Sequence, residues 1–85
     1  MYYVYMLLCS DNTLYTGITN KLDNRIEVHN KGKGAKYTRC RLPVKYVYQE
    51  PIGSKSDALK REYAIKKLDR SKKLLLINSE CNTLK

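Results

Sequence analysis

Tyr2-Tyr3-Val4-Tyr5-Met6-Leu7-Leu8-Cys9, then Ser10-Asp11-Asn12, then Thr13-Leu14-Tyr15-Thr16-Gly17-Ile18: this stretch decides the fold. Its first run is rich in Tyr, Val and Leu and bounded by polar residues, the signature of a strand. The Ser-Asp-Asn cluster is turn chemistry. Residues 13–18 resume a strand, so the stretch reads as a β-hairpin.

Working outward, Asn20 is placed to cap a short helix over residues 21–30, where Leu22, Ile26 and His29 fall on one face. Residues 31–43 have no periodicity; Gly32 and Gly34 loosen them and Pro43 closes them. Val44 to Glu50 alternates as a third strand. Ser56 is expected to cap a helix from Asp57 to about Asp69, and Ser71 a last helix holding Leu74 to Ile77. Tyr46, Tyr48 and Tyr63 are assigned to the core. Residues 1–78 then form one domain with residues 79–85 as a frayed tail. The order β-β-α-β-α-α predicts an α+β fold, a three-stranded antiparallel sheet flanked by helices with the third strand beside the first.

The chain carries a net charge of +9 on 85 residues. That charge suits a polyanionic partner: nucleic acid, an anionic membrane or an acidic protein. No apolar run approaches the roughly 18 residues of a membrane span. Met1 to Tyr5 lacks the basic start of a signal peptide, so the expected location is the cytoplasm. Cys9, Cys40 and Cys81 have neither C-x-x-C nor framework spacing, which suits free thiols, with Cys9 in the core. All aromatic mass comes from eight tyrosines, which bury a ring and keep a polar tip.

Tyr15, Arg25, His29 and Glu62 form an inventory suited to attack on a phosphodiester. A phenol with a lowered pKa takes a proton from water, and a guanidinium meets phosphate oxygens with a rigid fork. Glu62 lies on a mostly apolar helical stripe, where a carboxylate is costly unless paired or metal-bound. One carboxylate is enough for Mg²⁺, which keeps several of its waters. Each residue also has an ordinary reading. Tyrosines favour strands, and Glu62 is spaced to pair with Lys66 along the helix. The stretch from Lys31 to Lys45 holds Lys33, Lys36, Arg39 and Arg41 with no acid, and would grip a phosphate backbone without reading sequence. Tyr37 within it would stack on an unpaired base.

The ordered set resembles the GIY-YIG nuclease domain, and within it the small UPF0213 group. The matching residues are Tyr3-Val4-Tyr5, Leu14-Tyr15-Thr16-Gly17-Ile18-Thr19, Leu22, Arg25, His29-Asn30, the run Gly32 to Thr38, Pro43-Val44, Glu62 and Lys66-Lys67-Leu68. The resemblance implies that Tyr5 and Tyr15 are the motif tyrosines, Arg25 the phosphate-binding arginine and Glu62 the single ligand for Mg²⁺ or Mn²⁺. It leaves the general base open, and Tyr15 is expected to be that base, with His29 as the alternative. Tyr3 stands where the motif's glycine would be and Thr16 where its isoleucine would be, while Lys21 and Asn24 replace the Asp and Arg of close relatives. The implied function is a metal-dependent endonuclease on nucleic acid, most readily DNA, in repair or recombination, with target selection left to this domain or to a larger protein partner. The alternatives are a non-catalytic nucleic-acid binding module on the same scaffold and an adaptor of a repair complex.

Overall fold

A computed structural model describes residues 1–84. Strands β1 (Tyr2–Leu8) and β2 (Leu14–Thr19) form the expected hairpin. Its turn closes through Cys9 N–H donating to the Thr13 carbonyl at 2.9 Å. Asn12 takes a left-handed φ of 68°, a conformation asparagine tolerates better than most residues. Helix α1 (Leu22–Asn30) leads into a one-turn helix α2 (Lys36–Arg39), then strand β3 (Lys45–Gly53), helix α3 (Lys55–Lys66) and helix α4 (Arg70–Ile77). The sheet order is β2-β1-β3, antiparallel throughout, so the third strand does pair beside the first. No helix among the described residues is long and apolar enough to cross a membrane.

Alternation along β1 builds two cores, one per face. Val4 and Met6 pack with Tyr48, Ala58 and Ile65, beneath α3 and α4. Tyr5 and Leu7 pack with Cys9 and Val44, joined by Tyr15, Leu22, Ile26 and Tyr46. Burying such side chains stabilises by roughly 1.5–3 kcal/mol each.

Several local expectations are corrected. Asn20 does not cap α1; its N-cap is Lys21, which makes no side-chain cap bond, and Thr19 Oγ1 accepts from Lys21 N–H at 3.0 Å instead. Ser54, not Ser56, caps α3, accepting from Asp57 N–H, and the helix starts two residues earlier, directly after the turn at Gly53 (φ +119°). Asp69, not Ser71, caps α4 through Lys72 N–H. Tyr63 is not core: it is 63% exposed, with Lys67 Nζ lying 4.2 Å from its ring centre. Cys9 is buried as expected, just past the end of β1.

The segment after α4 is not frayed. Asn82 is buried, and its amide donates to the carbonyls of Val47 and Ile77 while its oxygen accepts from Gln49 N–H. Thr83 N–H donates to Gln49 C=O at 2.8 Å. Residues 82–83 therefore line the outer edge of β3, as a short strand would. Lys85, the last residue of the expected tail, lies outside the described residues.

Candidate active site

The site begins with Tyr5 at the centre of the sheet, where it is fully buried. Its cross-strand partner on β2 is Gly17. A Cβ on Gly17 would lie 2.6 Å from the Tyr5 hydroxyl, so the missing side chain is what lets the phenol cross β2. The room left by the missing Gly17 side chain is taken by Tyr5.

Helix α1 delivers two residues to this hydroxyl, one turn apart. Arg25 Nε–H donates to Tyr5 Oη at 3.2 Å, and His29 Nε2 lies 2.9 Å from the same oxygen. On its other side His29 Nδ1 sits 2.9 Å from Thr38 Oγ1, and the Thr38 hydroxyl donates to the Ala35 carbonyl at 2.9 Å. Both His29 and Thr38 are fully buried. Gly34 is required here too, because a Cβ would fall on the His29 ring. The Asn30 amide holds this arrangement in place, bonding both ways to the backbone of Val44 (2.8 and 3.2 Å) and tying the end of α1 to the entry of β3.

Burial, with the Arg25 charge adding to it, lowers the His29 pKa to about 4, so the ring is neutral at neutral pH. Burial pushes the Tyr5 phenol up; the Arg25 hydrogen bond and charge oppose this, and Tyr15 and Glu62 add to it. Tyr5 therefore keeps its proton. Arg25 is pushed up, first by its bond to Tyr5. Among the described residues no carboxylate forms an ion pair with Arg25.

Tyr15 differs from Tyr5 in access. It is partly exposed and lines a groove of about 380 Å³ with Leu14, Thr16, Tyr37, Lys66 and Lys73. Its ring lies 5.4 Å from that of His29 and stacks 6.0 Å from that of Tyr37. Glu62 comes from α3, which packs on β2. Its side chain is 17% exposed and pairs with Lys66 at 3.4 Å, while its charge still reaches Tyr5. Tyr5, Tyr15, Arg25 and His29 thus come together, and Glu62 reaches them from α3 through its charge on Tyr5.

The basic segment is more structured than its sequence suggests. Arg41 is committed inward: Nε pairs with Asp11 at 3.0 Å, Nη1 donates to the Tyr37 carbonyl at 2.7 Å, and the guanidinium covers the Tyr37 ring at 4.1 Å. Tyr37 is thus held against both Tyr15 and Arg41, and a stacking base would have to displace one of them. Lys33, Lys36 and Arg39 remain exposed. Thr38 enters the sequence only as the end of a matching run, and Lys73 carries no sequence signal; burial of the first and the place of the second in the groove emerge only from the fold.

Among the described residues no group of three or more His, Cys, Asp or Glu is arranged to hold a metal. A lone carboxylate fits a hard, well-hydrated ion such as Mg²⁺ rather than a cation held in a protein cage.

Residues 1–74 match the family model of the GIY-YIG catalytic domain. The UPF0213 protein of Staphylococcus haemolyticus is 55% identical over 76 residues, covering 89% of this chain and 93% of that protein. That of Clostridium perfringens is 59% identical over 80 residues, covering 94% and 86%. The solution structure of the UPF0213 protein BH0048 from Bacillus halodurans superposes with a TM-score of 0.61 at 44% identity, covering 99% of this chain and 90% of the other.

Proposed function

This chain belongs to the GIY-YIG catalytic domain family and to its UPF0213 group, and we propose that it is a metal-dependent endonuclease hydrolysing DNA phosphodiester bonds. The observation that carries this reading is Arg25. It is held through Nε by a fully buried phenol, belongs to a half-buried residue, and has no carboxylate partner among the described residues. A guanidinium held in place, with its charge favoured by the Tyr5 hydrogen bond and no anion of the protein beside it, is free to take an anionic ligand. A phosphodiester meets that need, and a guanidinium is the side chain best shaped to bind it.

Exposure sorts the two motif tyrosines. Tyr15 faces the groove and is the phenol that meets water, so proton removal is assigned to it. Tyr5 lies behind and orients Arg25, with His29 neutral at its back. Glu62 would hold one Mg²⁺ or Mn²⁺, which when bound supplies positive charge to phosphate and leaving oxygens. Lys33, Lys36 and Arg39 would hold the backbone, which positions the substrate without reading its sequence. The setting we propose is cytoplasmic repair or recombination of branched or damaged DNA, with a larger partner aiding target choice.

The test is cleavage by purified protein, with Mg²⁺ or Mn²⁺, of single-stranded, duplex, flap and junction DNA. Cutting of at least one substrate, lost in Arg25→Ala and Glu62→Ala, is the expected result. Variants that cut like wild type would sink the enzymatic reading. The Lys66–Glu62 contact favours a second reading, a binding module whose metal position is filled by a lysine. That reading predicts salt-sensitive binding, lost on charge reversal at Lys33, Lys36 and Arg39, with no metal-dependent cutting and no effect at Tyr15.

A further inference from the structure

The hydrogen bonds from Arg25 to Ala35 form a chain that runs consistently in one direction. Arg25 Nε–H only donates, so the Tyr5 oxygen accepts from it, and the single Tyr5 proton is left for His29 Nε2. The Ala35 carbonyl only accepts, so the Thr38 proton goes to it, and Thr38 Oγ1 is left to accept from His29 Nδ1. Read from either end, the imidazole carries its proton on Nδ1 and presents a bare Nε2 to Tyr5.

We infer that Thr38 is a positioning residue, fixing the tautomer of His29 and, through His29 and Tyr5, the aim of Arg25. The role of Arg25 rests on the nuclease reading; the tautomer does not. The geometry requires Thr38 in particular. It is fully buried, it lies nine residues beyond His29, and a side chain at Gly34 would close the approach between them. A valine at 38 would keep the shape and lose the acceptor. His29 would then have a buried Nδ1–H without a partner or, as the opposite tautomer, a bare Nδ1 without a donor and an Nε2–H that turns the Tyr5 proton away. The groups facing the ring are Tyr5 from β1, Tyr15 from β2 and Arg25 from its own helix. Burial and the Arg25 charge both favour the neutral ring, which the chain also requires.

His29 is the sole histidine of the chain, so its ring nitrogens can be read without ambiguity in the ¹⁵N-labelled protein. In the wild type we expect one neutral tautomer, protonated on Nδ1, from pH 8 down to about pH 5. Thr38→Val should move or divide the proton between the nitrogens, alter the Arg25 Nε–H signal, and lower cleavage by about 10- to 100-fold, the usual effect of losing an orienting partner. Thr38→Ser should restore all three. A wild-type proton on Nε2, a Thr38→Val ring spectrum like wild type, or a Thr38→Ser variant behaving like Thr38→Val would overturn the inference. Should Thr38→Val not fold, the wild-type and Thr38→Ser spectra still decide it. A wild-type protein that cuts no DNA would overturn the nuclease reading, and the ring spectra would still decide the assignment to Thr38.

Discussion

Tyr5 and Tyr48 are both fully buried in one sheet, on opposite faces, and their hydroxyls keep different company. Tyr48 donates to the Glu50 carboxylate, which also accepts from Arg61 Nε at 3.0 Å. There a cation meets its anion and the charge is closed within the fold. Tyr5 meets a neutral imidazole and a guanidinium that no described carboxylate balances. The same residue type, in the same sheet, joins a closed ion pair on one face and an unbalanced cation on the other. What distinguishes the two tyrosines is thus the charge left over around them, since burial is the same for both.

The comparison breaks most decisively at the arginines. Arg25→Ala should lower cleavage by at least about 10²–10³-fold, the scale for removing one preorganised donor to a developing charge. Arg61→Ala should leave cleavage close to wild type and reduce stability by about 1–3 kcal/mol, because Glu50 loses its partner. Equal losses of activity in the two variants would erase the distinction.

Acid should act first on the Tyr5 face. The His29 pKa lies near 4, below the ordinary 6.5, so the unfolded chain takes up a proton that the folded chain refuses. Stability is fully present above about pH 6.5 and falls as pH drops toward 4, by up to roughly 3 kcal/mol. Denaturant titrations at pH 7 and pH 4.5 check this, and His29→Gln should flatten the slope. A slope unchanged in that variant would place the acid sensitivity elsewhere.

Removing single hydroxyls gives a smaller contrast. Tyr5→Phe strands His29 Nε2 and Arg25 Nε in a buried site, at about 1–3 kcal/mol, and should lower cleavage as well. Tyr48→Phe leaves Glu50 paired with Arg61 and should cost nearer 1 kcal/mol with activity intact. Gly17→Ala presses on the Tyr5 hydroxyl and should cost about 1–3 kcal/mol by overpacking. The smallest effect belongs to Lys66→Ala, under about 1 kcal/mol and less at high salt, since Lys66 is half exposed. A larger loss there would mean that Glu62 depends on the lysine more than an ordinary surface pair does.

Much of this was legible in the sequence. The alternation of β1, the turn at residues 10–12, and the one-face spacing of Leu22, Ile26 and His29 carry strong periodic signals, and they placed the hairpin and α1. Helix starts were missed by two residues, since Ser54 and Ser56, or Asp69 and Ser71, are equivalent candidates until the chain direction is known. Helix α2 was hidden because one turn has no period to detect. Thr38 was quoted without a role because its value depends on two partners met only through folding. Asn82 was read as solvated tail because a polar side chain that pairs with strand backbone leaves no hydrophobic mark.

That tail residue has a consequence for how the sheet meets other molecules. An open strand edge is a template on which foreign chains can pair. Asn82 and Thr83 spend the edge groups of β3 at Val47 and Gln49, so an intruding strand finds that side already answered. The opposite margin is β2, the strand that carries Tyr15 and Gly17. The β3 edge is thereby covered by the chain's own residues 82–83, while no such segment lies along the margin that carries Tyr15 among the described residues.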